Sequence, residues 1–408
     1  MRQSPIEMSP LHAPFGVYVH IPFCASRCDY CDFATWTDRA HLIDQYVDAC
    51  IAQLERERAA DDGIGAAKVA TSVFFGGGTP SLIDPESLMR ILAAINRASD
   101  AEVTVECNPD AASDHHMAAY AASGVNRLSF GVQSTSAHVL QSLGRTHDRE
   151  NVERAVAAAR CHGIDNFNLD IIYGTPGESI ADWTATLNDV VRLDPMHVSA
   201  YALTVETATP LGANVRAGTA LAPDDDDQAE KYEIAEALLS EAGYANYEIS
   251  NWSKPGRECA HNMLYWTMGE YLAVGCAAHG HRGVAEHRGE RYWNVRTPER
   301  YIDAIANGTT AIAGSETLDP PGRAEETFPL AVRTRHGVPI RPVQWLEAPE
   351  DLFGPLRELC ARLVANDLMW SENDTIGLTA AGRLVANDVT ARLLNAGVIN
   401  MMVGAHYD

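Results

Sequence analysis

Residues Gly16 to Cys31 read GVYVHIPFCASRCDYC, a run rich in apolar and β-branched residues that stops at a proline and opens into a C-x3-C-x2-C cluster. Such a run reads as a strand, and the cysteines fall just past its C-terminal end. The same unit recurs along the first half of the chain. Further strand-like runs are Ala70 to Gly77, Ala101 to Cys107, Val125 to Val132, Asn166 to Gly174 and His197 to Glu206, separated by amphipathic segments such as LIDQYVDACIAQLERER and IADWTATLNDVVRL. Connections this long cannot be hairpins. They imply an α/β fold with a parallel sheet, closed or partly closed into a barrel, although an open doubly wound sheet satisfies the same alternation. The placement of polar residues favours the barrel: cysteines, GGGTP, ECNPD, GVQS and TPGE all follow strand ends, where a barrel gathers its loops at one mouth.

The 408 residues exceed one ordinary domain. We divide the chain into a tail (1–14), the barrel (15–250), a connecting glycine- and histidine-rich region (251–315) and a C-terminal α+β domain (316–408). In the last, GPLRELCARLVAND, a hairpin turning at Asn373 and Asp374, and a final helix resemble a winged helix. The run PDDDD reads as the N-terminal cap and solvated first turn of a helix over Gln228 to Ala242, with Gly243 at its exit. Lys+Arg total 31 against Asp+Glu 55, a net charge of -24 that disfavours nucleic acid and anionic membranes as partners. No signal peptide is expected, and no stretch approaches the roughly 18 apolar residues of a membrane span. Nine cysteines without paired spacing beyond the first cluster imply a reducing, cytoplasmic setting rather than a disulfide framework. Cys50, Cys107, Cys161 and Cys360 read as small core residues.

Three thiolates on one short loop can hold three irons of a cuboidal [4Fe-4S] cluster at Cys24, Cys28 and Cys31, leaving the fourth iron open. S-adenosylmethionine (SAM) can chelate such an iron through its amino and carboxylate groups, placing its sulfonium to accept an electron and release a 5'-deoxyadenosyl radical. A structural zinc site would need a fourth ligand and normally a second close pair, and the chain has no second C-x2-C. Gly77, Gly78 and Thr79 lack bulk after a strand, so their backbone could approach the methionyl end of the cofactor.

YVHIPFC at Tyr18, GGGTPS at Gly76, ECNPD at Glu106, GVQS at Gly131, LGRTH at Leu143, NLDIIYGTPG at Asn168 and GLTAAGR at Gly377 occur in order, and together they resemble the radical SAM family. Within it, the chain is similar to the group formed by the oxygen-independent coproporphyrinogen III oxidases (HemN) and the haem chaperones (HemW). The resemblance implies a partial (β/α)6 barrel of the radical SAM type, a [4Fe-4S] cluster and SAM. It also implies that Tyr18, Glu106, Gln133, Arg145 and Asp170 surround SAM, with carboxylates accepting from ribose hydroxyls or the ammonium and Arg145 pairing with a carboxylate.

Two departures separate this chain from the oxidases. They carry a further cysteine where this chain has Phe33, and they have an extension ahead of the cysteines, for which about twenty residues leave little room. HNMLYW, His261 to Trp266, instead matches the HNxxYW motif of the haem chaperones. We therefore expect haem as a ligand, with His261 as candidate iron ligand, Asn262 beside it, and Tyr265 and Trp266 against the porphyrin. Cys259 is a weaker second ligand, and Cys276, His279 and His281 in GCAAHGH read as part of a Gly/Ala-rich loop rather than a metal cluster. The implied partners are a haem-accepting respiratory enzyme and, if SAM is cleaved, an electron donor. The implied alternative is coproporphyrinogen oxidation; a tRNA-modifying enzyme is disfavoured by the charge.

Overall fold

The computed structural model describes residues 14–59, 68–284, 288–339, 350–372 and 375–398. Six parallel strands pair in chain order: β1 (Phe15–Ile21), β2 (Ala70–Gly77), β3 (Arg97–Cys107), β4 (Arg127–Gln133), β5 (Phe167–Tyr173) and β6 (His197–Ala202). These are the runs read from the sequence, with ends shifted by a few residues; the sixth stops at Ala202 rather than Glu206.

Alternation along the strands separates two faces. Val17, Val19 and Ile21 of β1, Val73 and Phe75 of β2, Val103 and Val105 of β3, Leu128 and Phe130 of β4, and Leu169 and Ile171 of β5 join one apolar core. The helices Ile43–Ala59, Pro85–Ala94 and Ile180–Leu193 bury Leu54, Leu88 and Trp183 in the same core. The other face is polar. Register places Tyr18 beside Phe74, Thr104 beside Arg127, Glu106 beside Ser129, Ser129 beside Asn168 and Asp170 beside Ser199. Both faces of a wholly parallel sheet are normally apolar, so this polar face marks where the protein works.

The expected Gly/His-rich connection in fact widens the sheet to twelve strands. Beyond β6 lie β7 (Ala245–Asn246) and β8 (Asn251–Ser253). At the opposite edge, β9 (Glu270–Val274) runs parallel to β1, followed by the antiparallel β10 (His279–Val284), β11 (Arg288–Asn294) and β12 (Ile312–Leu318). The edge strands β12 and β7 do not pair among the described residues, leaving a partial barrel.

The C-terminal segment has a core of its own, including Phe328, Val332, Leu356, Ile376 and Leu393. It combines helices with the three-stranded sheet of β13 (Val338–Pro339), β14 (Met369–Glu372) and β15 (Thr375–Leu378). The expected hairpin is present as the β14–β15 pair; its turn residues Asn373 and Asp374, like residues 1–13 of the expected tail, lie outside the described residues. No helix among the described residues is long and apolar enough to cross a membrane. Of the four cysteines expected in the core, Cys50 and Cys107 are buried, but Cys360 is only partly so and Cys161 is exposed, because it ends its helix on the solvent side.

Asp224 caps the helix Asp225–Glu241 by accepting from the Asp227 amide. The acidic run is not wholly solvated: Asp227 reaches inward to Lys231 at 2.6 Å. The fully buried Lys231 also donates to the Glu178 carbonyl at 2.9 Å and lies 3.3 Å from the Glu178 carboxylate, which accepts from the Gly174 amide. This network pins the loop after β5. Burial pushes the Glu178 carboxyl up, with Lys231 pulling it back. Removing one partner of a buried pair strands the other, so Lys231→Met is expected to cost about 3–5 kcal/mol in chemical denaturation.

Candidate functional site

The cysteine loop is closed at its base by short-range pairing: the Cys24 amide donates to the Trp36 carbonyl, and the Trp36 amide to that of Pro22. It is then clasped by the turn after β2, where the Gly78 amide donates to the Ile21 carbonyl at 2.7 Å and the Thr79 amide to Phe23 at 2.8 Å. The glycines therefore serve the loop as well as any ligand. A Cβ on Gly78 would lie 2.7 Å from the Phe23 carbonyl and 3.1 Å from the Cys24 sulfur, and one on Gly77, at φ +112°, 2.4 Å from the His20 ring.

Cys24, Cys28 and Cys31 are half-buried and unpaired by disulfides. Burial raises the Cys24 and Cys31 thiols, and the neighbouring Cys28 raises them further. Thr79 Oγ1 donates to Cys24 Sγ at 3.6 Å and Arg145 Nη1 to Cys28 Sγ at 3.5 Å. The donor set fits a metal cluster: three thiols crowd where their thiolates need a positive charge, and hydrogen-bond donors stand behind two of them. They do not converge on a point as ligands of one ion would. Among the described residues, only Asp84, Glu86 and His115 bring their ligand atoms within 4.8 Å of one another, on an exposed surface.

Beside this loop lies a cleft of about 810 Å³ whose lining includes Tyr18, His20, Gly77 and Glu106. Tyr18 OH bonds His20 Nδ1 at 3.1 Å, and burial raises the phenol strongly. Glu106 accepts from the Gly77 amide at 3.1 Å, and burial reinforced by Asp170 pushes its pKa up to about 8. Asp170 accepts from Ser129 and Asn168, both at 2.8 Å, with its own carboxyl raised by burial. Arg145 Nη2 donates to Asn108 at 3.0 Å and to the Gly131 carbonyl at 2.8 Å. Gln133 sits at φ 62° on a bulge of β4, its amide folded back over Gly131.

HNMLYW occupies the other end of the barrel. It forms the short helix Ala260–Trp266, capped by Cys259, whose thiol donates to Glu102 at 3.5 Å. His261 Nδ1 bonds Ser72 Oγ at 2.9 Å and Nε2 bonds Tyr265 OH at 3.0 Å. Its imidazole is 0% exposed, and burial followed by the Arg127 charge lowers its pKa to about 3. Expected as a haem-iron ligand, His261 thus has neither a free nitrogen nor accessible surface here. It packs against Gly16 at the start of β1, whereas the cysteines follow the end of that strand, about 17 Å away at 3.3 Å per residue. Asn262 donates to Tyr247 OH and Glu248, both at 3.2 Å; Tyr265 lines the cleft from below, and Trp266 is half-buried. Cys276 and His281 are buried apart, bonded to Tyr46 and to the Gly269 carbonyl.

The cleft includes residues that the sequence did not mark: Tyr271, Trp293, Arg296 and Arg300. They arrive through β9, β11, the turn after it and the first turn of the helix Pro298–Ala306, and nothing in their local sequence signals that β9 will lie against β1.

A parallel partial barrel with a three-thiol loop over a cleft that reaches its polar inner face defines an α/β protein built around a cluster-type cofactor. The sequence matches the Radical SAM superfamily over residues 18–190. It is 40% identical over 405 residues to a Mycobacterium tuberculosis protein named heme chaperone HemW, covering 96% of this chain and 99% of that one. The Bacillus subtilis protein of the same name is 32% identical over 385 residues, with 93% and 99% covered. In fold the chain resembles coproporphyrinogen III oxidase (HemN) from Escherichia coli, with a TM-score of 0.78 at 22% identity, over 94% of this chain and 90% of that one. The chain belongs to the radical SAM superfamily and, within it, to the HemW family. That membership brings a [4Fe-4S] cluster and SAM as cofactors.

Gly78 tests the clasp. Gly78→Ala forces backbone apart at the cysteine loop, so anaerobic reconstitution should yield clearly less iron and sulfide per chain, with a stability loss of about 1–3 kcal/mol.

Proposed function

We propose that this protein is a haem chaperone of the cytoplasm: it holds a [4Fe-4S] cluster on Cys24, Cys28 and Cys31, binds SAM in the cleft, and carries haem to a respiratory enzyme that requires it. The reading is supported by the end-to-end match to proteins named heme chaperone HemW. The observation that carries it is Phe33. Where the oxidase pattern has a further cysteine, this chain sets a phenylalanine that is 62% exposed and lines the cleft, an apolar wall rather than another thiolate.

When bound, the cluster and SAM supply a one-electron centre and a sulfonium beside it. The protein's own residues bind and orient. Tyr18, Gly77, Gly78, Thr79, Gln133 and Asp170 enclose the methionyl and ribose parts, Arg145 meets a carboxylate and steadies the Cys28 sulfur, and Glu106 receives a cationic ammonium or ribose hydroxyls. The floor helix, with His261, Asn262, Tyr265 and Trp266, supports the cleft from beneath. An electron donor is required only if SAM is cleaved.

Glu106 gives the SAM site a pH signature. With its pKa near 8, the empty cleft holds it largely protonated at neutrality, and its acceptor form grows as pH rises. SAM affinity should therefore increase from about pH 6 to pH 8, by at most about tenfold per unit, and level off above. Isothermal titration of the cluster-loaded protein measures this; Glu106→Gln should flatten the profile.

The function itself is tested by incubating the reconstituted protein separately with ferric haem and with coproporphyrinogen III plus SAM and a reductant. Haem uptake, transfer to an apo haem enzyme and no decarboxylated product are expected. Decarboxylation without haem uptake overturns the chaperone reading in favour of the oxidase.

A further inference from the structure

We propose that haem is seated in the outer part of the cleft, with a ring nitrogen of His279 as axial iron ligand, Phe33 and Trp293 as apolar walls, and Arg296 and Arg300 receiving the propionates. This rests on the haem-chaperone reading and assigns the site within it. All five residues line the same cleft.

The ligand follows from elimination among the histidines present. Two line the cleft. His20 is spent, bonding Tyr18 OH through Nδ1 and the Ala34 carbonyl through Nε2 at 3.0 Å. His261 is sealed in the floor with both nitrogens engaged. His279 is exposed at the start of β10; its ring stacks on Trp293 at 6.1 Å and 28°, and no hydrogen bond of its nitrogens is found among the described residues. An unspent imidazole at the edge of an open cleft can donate a lone pair to ferric iron without dismantling anything.

The ring and its carboxylates fit the rest. Phe33 and Trp293 are among the few large apolar side chains left exposed, at 62% and 36%, and both front this cleft. In a chain of net charge -24, most surface would repel a dianionic ligand. Arg296 and Arg300 are exposed and make no ion pair among the described residues, since Glu299 between them is taken by Arg39. Asp32 and Glu106 also line the cleft, so the arginines supply its local positive charge. Guanidinium groups left free at an apolar slot are suited to paired carboxylates.

The test titrates ferric haem into the full-length, cluster-loaded protein and follows the Soret band as a difference spectrum against haem alone. Variants are His279→Ala and the double substitution Arg296→Glu with Arg300→Glu, with iron and sulfide content checking that the fold is intact. His279→Ala should weaken binding at least tenfold and shift the Soret band, with free imidazole restoring the wild-type spectrum. The arginine variant should weaken binding at least tenfold while leaving the spectrum of the bound form unchanged. Wild-type uptake with both variants matching it in affinity and spectrum overturns this site and leaves the chaperone reading standing. No haem uptake by the wild type overturns that reading, and this site with it.

Discussion

A polar inner face on a parallel sheet is the constraint from which the rest of this structure follows. Buried polar groups without partners cost more than most contacts return, so each must be bonded or left for a ligand. At the base of the barrel the bonds are internal. Ser72 meets His261, Glu102 accepts from the His261 amide, and Arg127, 2% exposed, lies 4.0 Å from Glu102. Further round, His197 bridges Asn168 and Tyr247 at 2.7 Å on each side. The base is thereby largely closed by its own side chains, although Thr104 Oγ1 and Arg127 Nε find no hydrogen-bond partner among the described residues. Toward the strand ends partners thin out: Glu106 holds a single amide bond with its pKa displaced, and the three thiols stand together. The mouth is set apart by the kind of group it presents, a carboxyl displaced toward protonation beside three thiols.

The mouth is aligned by extending β-pairing past the strands. Gly78 donates to the carbonyl of Ile21, the last paired residue of β1, and Thr79 to that of Phe23 just beyond it, so the cysteine loop inherits its position from the sheet rather than from its own short chain. On the outer side, Tyr46 OH donates to the His20 carbonyl and accepts from the Cys276 amide, tying β1, the first helix and the turn after β9 together. Backbone pairing that fixes the loop independently of its thiols lowers the ordering cost of binding a cluster on them.

The strands β1 to β6 and the cysteine cluster were legible because both signals are local: apolar runs ending in glycine or proline, and thiols spaced along one loop. What could not be read locally was partnership across the chain. HNMLYW looks like an exposed ligand motif until Gly16 and Ser72 are known to lie above it, and those neighbours are separated from His261 by nearly the whole barrel sequence. The edge strands β9 to β12 escaped for a related reason. Segments such as HGHRGV in β10 lack an apolar alternation, and the strands are held by successive pairing outward from β1, β9 on β1, β10 on β9, β11 on β10 and β12 on β11, rather than by propensity. Cys161 was misjudged because helix periodicity places a residue on a face only while the helix continues, and Cys161 is its last residue.

The two histidines of opposite fate, His261 and His279, show how one residue type is divided between architecture and chemistry. His261 is lodged under residues without bulk, where a Cβ on Gly16 would stand 2.8 Å from its ring, so the barrel base is shaped around the imidazole. Displacing it to reach iron would break both ring bonds and open the polar floor, stranding Ser72. His279 carries no such obligation. It belongs to an edge hairpin in which Gly280 lies against the Tyr292 ring, so the hairpin is packed through its glycine and aromatic residues while the imidazole stays outside that contact. A group that can be engaged and released without unfolding its surroundings suits a protein that must let its cargo go, because the ligand bond can then exchange at the cost of that bond alone.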